Sequence, residues 1–142
     1  RRIILKCNRF ELTGQRPQEG APPDWASLRE ALEHFRQMNG APAVVTLGEY
    51  GIMVSDPEII WIPAVRVEGP TDPTGAGDSA TAGAVAALAS GASLPEAALV
   101  GNLVASITVQ QLATTGTARP EELPPRLDLW RSQQRDQRSL PA

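Results

Sequence analysis

The chain has a single cysteine, Cys7, and a single histidine, His34. One thiol excludes an intrachain disulfide framework and points to a reducing compartment, the cytoplasm, with Cys7 expected as a buried structural thiol. One cysteine and one histidine also leave no zinc-ligand spacing. His34 falls between the apolar positions of its segment and is expected at the surface. Aromatic residues make up only 4% of the chain. Long apolar runs are lacking as well: the stretch from Ala97 to Val109 is interrupted by Gly101 and Asn102 and is too short to span a bilayer. The opening Arg1-Arg2-Ile3-Ile4-Leu5-Lys6 has a basic end but no cleavage-site pattern, so it does not read as a signal peptide. Nor is there an excess of positive charge. Thirteen basic against sixteen acidic side chains leave a net charge of −3, which argues against binding nucleic acid through phosphate neutralisation. The one basic cluster, Arg131, Arg135 and Arg138, is diluted by Asp136 and reads as a solvated tail.

What the chain does have is enough length and apolar content for one core, 142 residues of which 42% are apolar. Ile3-Ile4-Leu5 and Ala43 to Leu47 are short continuous apolar runs, as in strands of a parallel sheet covered on both faces. Ile52-Met53-Val54, Glu58 to Pro63 and Val65-Arg66-Val67 read as further strands. A Gly- and Pro-rich loop from Thr13 to Pro23 precedes an expected helix: Asp24 is its N-cap, Trp25, Leu28, Leu32 and Phe35 recur at helical spacing, and Asn39-Gly40 closes it. A second helix of small residues runs from Gly75 to Gly91. Ser93-Leu94-Pro95-Glu96 is a capping box opening a third, from about Pro95 to Gln111, with an apolar face of Leu99, Val100, Leu103, Val104 and Ile107. Beyond Arg119 the composition turns to Pro and Glu, then a short polar helix near Leu127 to Trp130. The class is α/β, a mostly parallel sheet flanked by helices.

The chemistry is expected at Gly69-Pro70-Thr71-Asp72-Pro73-Thr74-Gly75-Ala76-Gly77-Asp78. The exposed N–H groups of the first helical turn and the positive end of the helix dipole form an anion site. Gly75 and Gly77 let backbone approach a phosphate closely. A carboxylate beside such a cradle repels the ligand unless it has a task, and the task assigned to Asp78 is general base. It takes the proton of an attacking hydroxyl while the amides of Gly75, Ala76 and Gly77 receive the charge developing on a transferred phosphoryl group. The plain alternative is an acidic first-turn residue favoured by the dipole.

Other signals are weaker. Asn8-Arg9-Phe10-Glu11 places an amide and a carboxylate three residues apart, a pair able to hold the water shell of Mg2+, and equally a helix-start pattern. Thr46-Leu47-Gly48-Glu49-Tyr50-Gly51 reads locally as an ordinary glycine turn between strands, and Gly116 as a helix stop.

The string Asp72 to Asp78, followed by Ser79-Ala80-Thr81-Ala82-Gly83, resembles the C-terminal signature of the ribokinase-like carbohydrate kinases, the phosphofructokinase B family. Two positions depart from the commonest form, Pro73 where Thr is frequent and Ala80 where Phe is frequent. The resemblance extends from about Ile3 to Gln111. It implies an ATP-dependent phosphotransferase acting on a hydroxyl of a sugar-like small molecule. It places Asp78 as catalytic base, Gly75 to Gly77 as anion hole, and Asp72 and Thr74 in a site for K+ or another monovalent cation, completed by the loop from Ala113 to Gly116. It also gives Asn8 and Glu11 to magnesium, sets Thr46, Gly48 and Gly51 under the nucleotide phosphates, and puts Asn102 near the adenine ring; locally Asn102 reads just as well as a polar residue facing solvent. Family members are roughly twice this length. Residues 1–130 are therefore expected to be the C-terminal ATP-binding portion, with 131–142 a disordered polar tail. Alone, the chain is expected to be poorly active and to expose apolar surface that favours association, leaving a homo-oligomer open.

Two rival readings have different consequences. Gly75 to Ala80 satisfies G-x-G-x-x-A, but a dinucleotide fingerprint needs a strand running straight into the first glycine, and two prolines intervene here. A P-loop is excluded because no Gly-Lys-Ser/Thr follows the glycines. A nucleotide-binding or regulatory module without catalysis is the second rival. Asp78 opposes it, since a pure phosphate binder gains nothing from negative charge at that point.

Overall fold

A computed structural model of the chain describes residues 3–16 and 21–138, with side chains described to residue 135. Residues 17–20, the middle of the expected Gly/Pro loop, lie outside the described residues, as do 139–142 of the expected tail. The chain divides into two compact units, residues 1–63 and 64–142, and each is taken by itself.

The first unit holds β1 (Leu5–Asn8), α1 (Arg9–Thr13), α2 (Trp25–Asn39), β2 (Ala43–Thr46), β3 (Ile52–Val54) and β4 (Ile60–Ile62). The strands form one sheet in the order β1-β2-β3-β4. The α/β class holds, but among the described residues the sheet is mixed: β1 and β2 are parallel, whereas β2–β3 and β3–β4 are antiparallel. The reason is local. Helix α2 is long enough to carry the chain back for a parallel partner, while the tight turn at Gly48–Tyr50 reverses it within a few residues. The first strand is also displaced from Ile3–Leu5 to Leu5–Asn8, because its register is set by pairing Leu5 with Ala43 and Asn8 with Thr46.

Helix α2 begins and ends as its sequence indicates. Asp24 accepts hydrogen bonds from the Ala26 and Ser27 amides, and Gly40 closes the helix at φ +61°. Leu28 and Leu32, one turn apart, are buried against Cys7, Val45 and Met53 of the sheet. Burial of each such leucine is worth roughly 1.5–3 kcal/mol. His34 is exposed. Ser55 is buried, and its hydroxyl accepts from the Ala43 amide at 2.8 Å, so this polar group extends the β2–β3 pairing by one position.

The second unit holds α3 (Ala76–Ala89), α4 (Leu94–Thr108) and α5 (Leu123–Arg138). Ser93 and Glu96 form the expected capping box. On α4 the buried positions include Ala98, Gly101, Asn102 and Ser106 alongside Leu103 and Ile107. Small and polar residues are thus buried beside the apolar stripe, and Asn102 does not face solvent.

Three expectations change in this unit. Val65 to Val67 is not a strand: the Gln133 side chain takes both backbone groups of Arg66, accepting from its N–H at 3.0 Å and donating to its C=O at 2.8 Å. An amide side chain carries both a donor and an acceptor group, so it substitutes for a strand partner. Helix α5 is far longer than a turn around Leu127, and it runs through residues 131–138 of the expected disordered tail. Pro124 and Pro125 look like breakers, but they fall in its first turn, where a missing N–H costs nothing. Among the described residues no helix is long and apolar enough to cross a membrane.

Candidate active site

The parallel pairing of β1 and β2 puts Asn8 and Thr46 side by side at the C-terminal ends of their strands, the position at which open α/β sheets gather ligands. Asn8 caps α1, its Oδ1 accepting from the Glu11 amide at 2.8 Å, while Glu11 Oε2 accepts from the Asn8 amide at 2.7 Å. The helix-start reading of this pair is therefore realised. It leaves the second carboxylate oxygen of Glu11 outside the box. Cys7, one residue earlier, is buried, and desolvation, then the charge of Glu11, raises its thiol pKa, so it behaves as structural packing.

Thr46 leads into the Gly48–Tyr50 turn. The Leu47 amide donates to the Gly51 carbonyl at 2.8 Å, and the Gly51 amide to the Gly48 carbonyl at 3.1 Å. Gly51 sits at φ +101°, ψ −138°, a conformation open only to glycine. Thr46, Gly48 and Gly51 thus belong to one short closed loop.

In the second unit, Gly75 is the N-cap of α3 at φ +76° and carries no side chain to cap it. The Ala76 amide donates to the Pro73 carbonyl at 3.0 Å. That removes one of the three amides expected in the anion hole. The next two, on Gly77 and Asp78, lie in the first turn, whose N–H groups have no acceptor within the helix. The Asp78 amide, not among the three named from the sequence, lies on this same turn. The Asp78 side chain is exposed on this same turn and not folded into the apolar interior.

Asp72 ties the approach to α3 to the segment after α4. Its amide donates to the Val109 carbonyl at 2.7 Å, its Oδ1 accepts from the Thr74 amide at 2.9 Å, and its Oδ2 accepts from the Ala113 amide at 3.3 Å. Three of the residues expected around a monovalent cation therefore meet directly. Ala113 is at φ +56°, a left-handed conformation costing a β-carbon residue about 1–2 kcal/mol, which the bond to Asp72 helps offset. The left-handed residue is Ala113, not Gly116 as a helix stop would require. Gly116 is needed for a different reason: a Cβ there would lie 2.7–2.9 Å from Thr108, its backbone included. Gln110, also unanticipated, donates to the Glu68 carbonyl at 3.2 Å and accepts from Arg126 at 2.9 Å. The ties of Asp72 to Ala113 and of Gln110 to Glu68 join residues some forty positions apart, and no local pattern announces them.

The Thr74 hydroxyl, then the Thr74 and Ala113 amides, hold the Asp72 carboxyl below the usual aspartate range. A depressed folded-state value means the contribution is present in full above the unfolded value of ~3.9 and is lost as pH falls through the lower folded value. A carbon-13 NMR titration is expected to place the Asp72 midpoint below ~3.9. A midpoint at or above it would contradict the ties.

Residues 3–121 match the model of the pfkB family carbohydrate kinases. The chain belongs to that family. It is 44% identical over 71 residues to inositol 3-kinase of Arabidopsis thaliana, an alignment covering 49% of this chain and 20% of that protein. Its fold is similar to ribokinase of Thermotoga maritima, with a TM-score of 0.71 and 25% identity over 88% of this chain and 42% of that one. It is similar as well to Arabidopsis thaliana ribokinase complexed with ribose and ATP, with a TM-score of 0.71 and 24% identity over 89% and 40%. The chain thus spans about a fifth of the curated relative and two fifths of the solved kinases. pfkB membership and a ribokinase-like fold agree with the α/β architecture above. They also exclude the dinucleotide-fingerprint reading of Gly75 to Ala80.

Proposed function

We propose that this chain supplies the ATP-binding and phosphoryl-transfer portion of a kinase that phosphorylates a hydroxyl of a sugar or polyol. The observation that carries the reading is the first turn of α3. A left-handed glycine opens it, the amides of Gly77 and Asp78 lack intrahelical partners, and the Asp78 carboxylate is exposed beside them. In this reading Asp78 accepts the proton of the acceptor hydroxyl as that oxygen attacks the terminal phosphorus of ATP. The O–P bond to ADP breaks, and the amides receive the negative charge on the migrating phosphoryl oxygens. The proton leaves on Asp78 and passes to solvent.

Thr46, Gly48 and Gly51 are assigned to the ATP phosphates, and Asn102 to the neighbourhood of the adenine. Asn8 and Glu11 offer only oxygen ligands, and one Glu11 oxygen is outside the capping box. That donor set suits a magnesium ion that keeps most of its waters. Bound there, Mg2+ would neutralise phosphate charge. Asp72, held anionic, with Thr74 and the backbone of Ala113 to Gly116, is likewise an oxygen-rich set that suits K+ or a similar ion. The acceptor class rests on the likeness to an inositol kinase and to ribokinases.

The test is phosphate transfer from Mg-ATP by the complete protein to a panel of polyols, pentoses, hexoses and nucleosides. Acceptor-dependent ADP release, equal to the phosphorylated product formed, is the expected result. Nucleotide binding without transfer to any acceptor would replace the kinase reading with that of a regulatory nucleotide-binding module.

A further inference from the structure

Trp61 on β4 is 41% exposed, yet its ring is held from two sides. Its indole Nε1–H donates to the Tyr50 carbonyl at 2.8 Å. The ring of Trp25 lies 4.6 Å from it, tilted by 48°, and Trp25 meets the Tyr50 ring edge-on at 6.4 Å. Trp25 is the first residue of α2, whose start is pinned by Asp24. A large half-exposed indole whose N–H reaches into the turn between Gly48 and Gly51 does more than cover the sheet.

We propose that Trp61 is a positioning residue for the loop Thr46 to Gly51, holding the Tyr50 carbonyl away from the phosphates that the loop receives. This rests on the assignment of that loop to ATP made above. Within the loop, the Leu47 carbonyl accepts from the Tyr50 amide at 3.3 Å, the Gly48 carbonyl from the Gly51 amide at 3.1 Å, and the Gly51 carbonyl from the Leu47 amide at 2.8 Å. From outside the turn, the Trp61 side chain supplies a donor, and it goes to Tyr50. With that bond made, the carbonyls of Leu47, Gly48, Tyr50 and Gly51 are all occupied. Peptide oxygens repel phosphate and peptide N–H groups attract it, so tying down these four carbonyls biases the surface the loop offers toward an anion. Loss of the indole N–H frees one carbonyl to turn toward the ligand. The effect is expected at the nucleotide, since the loop is the part assigned to the ATP phosphates.

Trp61→Phe keeps an aromatic ring against Trp25 and removes the donor. In the complete protein it is expected to raise KM for ATP about fivefold, the value of one hydrogen bond, while kcat and KM for the acceptor stay within about twofold. A merely structural role for Trp61 would lower the melting temperature and active fraction without moving KM for ATP. Thr46→Val, measured in parallel, tests the loop assignment separately. If Thr46→Val raises KM for ATP and Trp61→Phe does not, the positioning role is overturned and the kinase reading survives. If neither changes it, the loop is not the nucleotide site, and the loop assignment falls together with the positioning role while the reading of the α3 turn stands. Should Trp61→Phe fail to fold, the unsubstituted protein answers instead. The Trp61 indole N–H resonance is expected to be protected from exchange and to shift on addition of ATP. A rapidly exchanging signal that ATP leaves unmoved overturns the proposal.

Discussion

Asp78→Asn in the complete protein is expected to lower kcat by about 10²–10⁴, the range supplied by a positioned general base, with KM for ATP changed only a few-fold. The substitution is close to isosteric, so the geometry of the α3 first turn is retained. The loss of one charge from the helix N-terminus costs only about 0.3–1 kcal/mol. Stability therefore stays near that of the parent protein and cannot account for a large fall in turnover. Two physical facts make the effect specific. An amide nitrogen does not accept a proton from an alcohol, and the amides of Gly77 and Asp78, which are backbone, remain in place. Residual activity is expected to come from that surviving electrostatic half of the site. Steady-state kinetics with ATP and the best acceptor of the panel checks this. Equal turnover by the two proteins would remove Asp78 from the chemistry while leaving the fold and the family untouched.

Gly83→Leu is expected to be the most damaging single change to the second unit. A Cβ at Gly83 would meet Val104 Cγ2 at 2.7 Å, Val104 Cβ at 3.1 Å and the Val100 carbonyl at 3.4 Å. Helices α3 and α4 therefore approach through a residue that has no side chain, and one methyl group already forces a displacement. Overpacking of this kind costs roughly 1–3 kcal/mol, occasionally more, and leucine adds three further carbons. Gly83→Ala is expected to lose less, about 1 kcal/mol net, because alanine recovers close to 1 kcal/mol of helix propensity relative to glycine. Thermal and urea denaturation of the complete protein are expected to rank the three as parent, alanine, leucine. The same displacement moves the start of α3, where Asp78 sits, so activity is expected to fall with stability in the leucine variant. A leucine variant as stable as the parent would mean that the two helices do not pack through this position.

The site was legible in unequal parts. The glycines and carboxylate of residues 75 to 78 lie within a few positions of one another, so their placement on one helix start could be read before any fold was known. The helix start was equally plain, since caps and glycine stops act through bonds of three or four residues' reach. The same locality explains the errors. The Ala76 amide belongs to a turn closed by Pro73, which cannot be told from the letters. Asn102 looked like an interruption of an apolar face and proved buried. Asn8 and Glu11 fit two patterns at once, and their mutual hydrogen bonds show that the helix-start pattern is formed. Val65 to Val67 has the composition of a strand, yet its backbone is satisfied by Gln133, 67 residues away in the chain.

By itself the sequence determined the family, both ends of α2 and the start of α4, the burial of Cys7, and the adjacency of an acid to a glycine-opened helix start, all of which follow from short-range bonding and from residue chemistry. Tertiary structure alone decided that Asp72 is anchored to Val109 and Ala113, that Gln110 bridges Glu68 and Arg126, that Trp61 holds the Tyr50 carbonyl, and that the sheet is mixed. Each of these is a bond or a pairing whose partner is chosen by packing. A donor or acceptor buried by folding must be satisfied by whichever group the fold brings near, and nothing in its own neighbourhood along the chain records which group that is.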